Sequence, residues 1–233
     1  MLRHIRSGDI EIEYNLIQTE RKSIECRVMA GEIRVFAPKR LPARTADEFV
    51  RERAEWILSA SAEMRRRENA LAARAAEALR SVPIEGTEYP VECIPGGRKG
   101  VRLENGKLLV TGTDGSVEEA GPLVKGFLMN LARTRFAECV ARYAPLVGCR
   151  PGRIALREQK TKWGSCSSKD NLNFNWKLIM APPGALEYVV IHELCHMKHF
   201  DHSPAFWSLV RKYCPVADRW MLFLKKDFRP PHF

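Results

Sequence analysis

The chain has 233 residues, of which 45% are hydrophobic and 28% charged, and its formal net charge is +10. That length is enough to bury a substantial core in one or two domains. Its seven cysteines contain no C-x-x-C pair, which excludes a zinc ribbon and indicates reduced thiols. The charged start of the chain and the lack of a long apolar stretch predict a cytoplasmic protein with no membrane partner.

The positive charge is concentrated towards the end of the chain. Residues 151–233 carry 13 Lys and Arg against 7 Asp and Glu. Such an excess favours anionic partners such as nucleic acid or nucleotides, and it equally fits a solvated basic surface.

Alternating apolar residues predict three short strands near the start, over residues 10–16, 24–28 and 33–35, arranged as an antiparallel meander. Residues 44–80, rich in Ala, Glu and Arg, predict helix. Strands follow at 88–94, 100–104 and 107–110, with Asn105-Gly106 typical of a hairpin turn. The order of elements predicts an α+β fold, with meander and hairpins packed against helices.

The second half of the chain is predicted to begin with a long helix over residues 123–143. Two strands, 153–160 and 172–179, then flank a polar, turn-rich segment. We expect this basic hairpin to offer an edge to which an extended polypeptide adds as a further strand. Residues 1–115 are predicted to form a β-rich region with a long helix, and residues 116–233 the core that carries the chemistry.

The segment from Ile191 to His202 contains the most informative motif, H-E-x-x-H. On a helix, His192 and His196 project from one face one turn apart, so both rings can bind one metal ion. Glu193 lies about 100° around the helix, where it flanks the ion and can take a proton from water. This is the signature of a zinc hydrolase.

A catalytic zinc ion usually has three protein ligands, and elimination narrows the choice of the third. No glutamate follows Glu193, so a downstream Glu ligand is excluded. His199 would lie about 10.5 Å along a continuing helix from His192, too far for one ion. His202 follows the predicted helix end, before a Ser203-Pro204 start of a new helix over about 204–213, and is the predicted ligand. The other candidates downstream are His232, Asp201, Asp218 and Asp227.

Four segments together resemble the YgjP-like metallopeptidases, which are similar to the SprT-like and WLM zinc proteases. The segments are KTKWGSCS (160–167), LNFNW (172–176), HELCH (192–196) and HSPAFW (202–207). The resemblance covers roughly residues 150–215 and implies a zincin-like helix in the C-terminal half. It also implies zinc bound by His192, His196 and His202, with Glu193 as general acid and base.

Three functions are open at this point. The first is a zinc peptidase acting on unfolded or extended polypeptide. The second is a metal-dependent nucleoside triphosphate pyrophosphatase, an activity ascribed to some YgjP-like proteins on UTP. The third is a zinc-stabilised nucleic-acid-binding module, which leaves Glu193 without a role. The predicted substrate-contacting residues are Lys160, Lys162, Trp163 and Asn175, which belong to the hairpin beside the motif.

Overall fold

A computed structural model of the protein describes residues 1–8, 10–29, 32–159 and 161–231. The chain divides into two units, Met1–Arg74 and Ala75–Phe233. The sequence predicted a boundary between residues 115 and 116, after which the core that carries the chemistry begins. That boundary is a statement about function, and it stays a prediction.

The first unit contains a four-stranded sheet in the order β1-β2-β4-β3. The predicted antiparallel meander is wrong, because β2 and β4 are parallel neighbours. The reason is burial: Val35 and Ala37 of β4 are fully buried, whereas no residue of β3 is, so β4 takes the central position. The strands are β1 (Leu2–Ser7), β2 (Ile10–Thr19), β3 (Glu25–Met29) and β4 (Glu32–Pro38).

The predicted helical region after this sheet forms two helices, α1 (Ala43–Glu52) and α2 (Ala54–Ala78). Ala46 and Val50 of α1 are buried in the same core as Ile12 and Leu16 of β2. Much of α2 is exposed, and Ala54 and Ile57 are its buried residues. The first unit therefore has its own hydrophobic core.

The second unit begins with a sheet in the order β5-β6-β8-β7. Asn105 and Gly106 have φ of 50° and 73°, so the predicted two-residue hairpin turn between β7 and β8 is confirmed. Strand β8 is central, with Leu108 and Val110 fully buried, and pairs in parallel with its neighbour β6. The strands are β5 (Ser81–Ile84), β6 (Thr87–Ile94), β7 (Gly100–Glu104) and β8 (Lys107–Thr111).

Helix α3 (Val117–Val147) is longer than predicted and begins and ends at recognisable caps. The Ser116 hydroxyl accepts a hydrogen bond from the Glu119 N–H, and Gly148 adopts a left-handed φ of 73° at the other end. Phe136 of α3 stacks on Phe174 with ring centroids 4.5 Å apart, and both rings are fully buried. This contact joins α3 to the sheet that precedes the H-E-x-x-H helix.

The third sheet contains β9 (Ile154–Arg157), β10 (Gly164–Cys166) and β11 (Leu172–Asn175) in the order β10-β11-β9. The predicted hairpin of residues 153–160 and 172–179 is wrong, because β11 pairs with β9 in parallel. Its antiparallel partner is β10, which lies inside the segment predicted to be a turn-rich connection. Since β11 already has a neighbour on each side, it is not the open edge predicted for a substrate strand; β10 is an edge strand. β11 is also shorter than predicted, because Asn175 caps a 3₁₀ helix over Trp176–Met180.

Three helices complete the second unit: α4 (Pro183–His196), α5 (Pro204–Tyr213) and α6 (Ala217–Lys226). The described part of the chain is thus α+β, as predicted, with six α-helices and three mixed sheets. All seven cysteines are free thiols. Among the described helices, none combines the length and the apolar character that crossing a bilayer requires.

Candidate metal centre

Helix α4 carries two of the predicted ligands on one face. Pro183 occupies the first turn, where a missing N–H costs nothing, and the helix ends at His196 with Met197 as its C-cap. Residues on several sides of α4 are buried, among them Val190, Ile191, Leu194 and Cys195. A helix held on several sides fixes the direction of the rings of His192 and His196.

His202 reaches the same point from outside α4. The chain leaves the helix after Met197 and starts α5 at Ser203, whose hydroxyl accepts a hydrogen bond from the Phe206 N–H at 3.4 Å. The predicted Ser203-Pro204 helix start is therefore confirmed. Aromatic rings of α5 support the histidines: Phe206 stacks on His196 at 4.5 Å and Trp207 on His202 at 5.7 Å between centroids.

The three histidine rings converge through their Nε2 atoms. The Nε2 atom of His192 lies 3.1 Å from that of His196 and 3.3 Å from that of His202. Within the described part of the chain, these three histidines form a group whose ligand atoms lie close enough together to hold a metal ion. His232 lies outside the described residues.

The hydrogen bond of the His196 ring and the burial of the His192 ring are both compatible with metal binding. His196 Nδ1 lies 3.1 Å from the His199 carbonyl oxygen, so an N–H at Nδ1 satisfies that acceptor and leaves Nε2 with its lone pair. His199 thus contributes its backbone. Burial, followed by the neighbouring histidines, lowers the pKa of His192 to about 3, which keeps that ring neutral. Three imidazole nitrogens pointing at one place fit a bound cation.

His192 departs from this pattern at its other ring nitrogen. Its Nδ1 is buried and has no hydrogen-bond partner among the described residues. A metal-bound histidine usually donates its second N–H to a carbonyl, carboxylate or water.

Glu193 lies beside the histidines, with 5% of its surface exposed. Burial raises the pKa of its carboxyl to about 7, against the lowering effects of the Cys166 N–H and the Lys162 charge. Its carboxylate is packed on Gly164 of β10 so closely that a Cβ on residue 164 would lie 2.6 Å from Glu193 Oε1. Glycine at 164 is what allows the carboxylate to occupy this position.

His192 and Glu193 face an open cleft of about 1370 Å³. Three of the four predicted substrate-contacting residues line it: Lys162, Trp163 and Asn175. Asn175 is 2% exposed, and its amide donates to the carbonyl oxygens of Gln159 and Lys162 at 2.9 and 3.5 Å. It therefore holds the loop that carries Lys162. The fourth, Lys160, lies outside the described residues.

Sequence reasoning missed the wall of the cleft that follows α5. Lys225 of α6 and the succeeding Phe228, Arg229 and Pro230 line the cleft, as does Tyr188 of α4. Tyr188 stands one turn before His192, so helical spacing was a usable indication of its position. Nothing in the local pattern of residues 225–230 indicates that they return to the motif.

Three convergent histidines and a buried glutamate in an open cleft are the features of a metal-dependent hydrolase, and this is the class to which the protein belongs. The family comparison is more specific: residues 22–227 match the model described as YgjP-like, metallopeptidase domain. The chain belongs to this YgjP-like metallopeptidase family, as its motifs had led us to expect.

One similar solved structure is the crystal structure of the metallopeptidase zymogen of Pyrococcus abyssi abylysin. It is 21% identical, and the match covers 41% of this chain and 98% of that chain with a TM-score of 0.36. No curated protein shows significant similarity to the chain.

Proposed function

We propose that the protein is a zinc-dependent peptidase that cleaves unfolded or extended polypeptide, with His192, His196 and His202 as ligands and Glu193 as general base. The observation that carries the proposal is the convergence of the three Nε2 atoms, 3.1 and 3.3 Å from atom to atom. Two nitrogens bound to a tetrahedral zinc ion at about 2.0–2.1 Å are about 3.3 Å apart. The donor set therefore suits zinc in size and in chemistry.

Each residue has a defined task in this proposal. A bound zinc ion would supply Lewis-acid chemistry, lowering the pKa of a water and polarising the scissile carbonyl. The Glu193 carboxylate takes a proton from the attacking water, whose oxygen bonds to the carbonyl carbon, and passes that proton to the leaving amine as the C–N bond breaks. Gly164 lets the carboxylate stand close to β10, and Asn175 steadies the loop before it.

The shape of the cleft supports a polypeptide substrate. Its volume of about 1370 Å³ exceeds the roughly 300–1,000 Å³ of small-molecule pockets, and it is open to solvent. Gly164 of the edge strand β10 lines it, so an extended backbone bound there has strand hydrogen bonds within reach. The family description, a metallopeptidase domain, agrees with this choice of substrate.

The alternatives have less support. A nucleoside triphosphate pyrophosphatase would use the same ion and the basic residues of the cleft, and it is retained as an arm of the test. A zinc-stabilised nucleic-acid-binding module would not require a buried glutamate beside the histidines and an open cleft.

The test is to strip the purified protein of metal with a chelator, reload it with zinc, and offer it unfolded casein and a panel of nucleoside triphosphates. We expect casein cleavage that needs zinc and is lost in Glu193→Gln. Zinc-dependent nucleotide turnover with intact casein would contradict the peptidase proposal, and turnover of neither would contradict both enzyme proposals.

A further inference from the structure

The wall of the cleft formed by α6 and the residues after it is fixed in place by aromatic contacts. Phe228 is 9% exposed and lies between Trp163, at 5.2 Å, and Phe223, at 5.7 Å between ring centroids. Arg229 follows Phe228 and Lys162 precedes Trp163, so the two cations flank one aromatic contact. Both side chains line the cleft.

The charges of the cleft are unequally compensated. Lys162, Lys225 and Arg229 are exposed, and none of them forms an ion pair within the described residues. The Lys162 charge acts on the Glu193 carboxyl without contacting it closely enough for an ion pair, and Arg229 donates a hydrogen bond to the Phe228 carbonyl at 2.9 Å. By contrast, the Glu158 carboxylate is already bound by Lys125 at 2.7 Å and by buried Lys177 at 3.1 Å. The cleft therefore offers three cations to a ligand, while Glu158 is committed to lysines of its own.

Apolar surface is interleaved with these cations. Lys162 is the sequence neighbour of Trp163 and Arg229 that of Phe228, and these two rings are in contact; Met221 and Leu224 precede Lys225 on α6. A compact phosphate ligand is usually held by clustered Arg, Lys and backbone N–H groups. Here the cations come from separate segments and have aromatic and aliphatic side chains as neighbours in the cleft lining, which matches charged and apolar side chains that alternate along a polypeptide.

We propose that the cleft selects polypeptide segments with acidic side chains, bound by Lys162, Lys225 and Arg229, next to an apolar side chain packed on Trp163 and Phe228. This inference rests on the proposed peptidase function and specifies its substrate class. Because the cations are exposed, each contributes a factor of about 2 to 5 in affinity, and salt reduces the preference.

The test measures binding, so that it does not depend on turnover. Zinc-loaded Glu193→Gln protein is titrated by calorimetry with a ten-residue peptide containing Phe and two Glu, and with the same peptide carrying Gln for Glu. We expect the Glu peptide to bind roughly ten times more tightly at low salt, from the factors above combined over two or more cations. Equal binding of the two peptides would overturn the proposal.

Neighbouring lysines of α6 provide a matched control. Lys225 lines the cleft and Lys226 does not, although both are exposed. Adding Lys225→Gln should lower the Glu preference about two- to fivefold, and Lys225→Glu should lower it further, whereas Lys226→Gln should leave it unchanged. An equal loss in Lys226→Gln would mean that overall charge, and not the cleft, selects the peptide, and would overturn the proposal.

Two more outcomes separate this inference from the proposed function. UTP or ATP binding that depends on Lys225, with no discrimination between Glu and Gln peptides, would overturn the acidic-polypeptide proposal. A clear Glu preference in binding, together with a wild-type protein that cleaves neither casein nor the peptide, would support the selectivity and contradict the peptidase function.

Discussion

Gly164→Ala directly tests the close packing of Glu193 against β10. A Cβ at residue 164 would lie 2.6 Å from Glu193 Oε1, 2.8 Å from its Cγ and 2.9 Å from its Cδ. Ordinary van der Waals contact begins at 3.4 Å, so the carboxylate or β10 must move by about 0.8 Å. Neither has much freedom, because Glu193 belongs to a buried helix and β10 is paired with β11.

The consequence of this displacement is larger for catalysis than for folding. Overpacking a well-packed site costs about 1–3 kcal/mol of unfolding free energy. A misplacement of about 1 Å in a catalytic group can lower the rate on the order of 10²-fold. We therefore expect Gly164→Ala to keep its zinc, since no ligand is touched, and to lose on the order of 10²-fold in kcat/KM on casein.

The assay compares casein cleavage, zinc content and thermal unfolding of Gly164→Ala with those of Gly126→Ala. Residue 126 lies inside α3, and a Cβ there would meet nothing within 4 Å. Alanine at that position should be neutral or stabilising by up to about 1 kcal/mol, because Ala favours helix over Gly. Full activity and unchanged stability in Gly164→Ala would refute the close packing of Glu193 on β10.

Three other predictions test the site and the first unit. His202→Ala should weaken zinc binding at least 10-fold in competition with a chelator, whereas His199→Ala should not, because His199 contributes its carbonyl; the reverse result would give the third ligand to His199. Glu193→Gln should lose on the order of 10²-fold or more in kcat with unchanged zinc content and melting temperature, as expected for a lost proton acceptor, and full turnover would remove it from the mechanism. Hydrogen bonding to Arg3 lowers the pKa of Asp47 below its ordinary 3.8, so this ion pair stabilises the fold above pH 3.8 and the contribution is lost as the pH falls further. Urea unfolding at pH 7 and pH 3 should show a smaller loss in Asp47→Asn than in wild type; equal losses would contradict this role.

Local features were predictable where the hydrogen bonds that define them are local. The H-E-x-x-H helix, the Ser203 cap of α5 and the Asn105-Gly106 turn each depend on residues within a few positions of one another. The order of strands was not, because it depends on pairing and packing between segments that are far apart in the sequence. Val35 and Ala37 are fully buried where β4 lies between β2 and β3, and this position depends on packing across the sheet.

The same distinction applies to the functional site. The sequence by itself determined the family, the pair of histidines on one helical face and the glutamate between them, since a helix of 3.6 residues per turn fixes those relations. It also favoured His202 over the other downstream candidates as the proposed third ligand. Only the tertiary structure decided that Gly164 packs on Glu193, that Asn175 braces the loop of Lys162, and that Phe228 and Arg229 close the far wall of the cleft. These contacts join residues from 13 to more than 30 positions apart in the sequence. They form as apolar surface is buried, and that process follows no fixed spacing in the sequence.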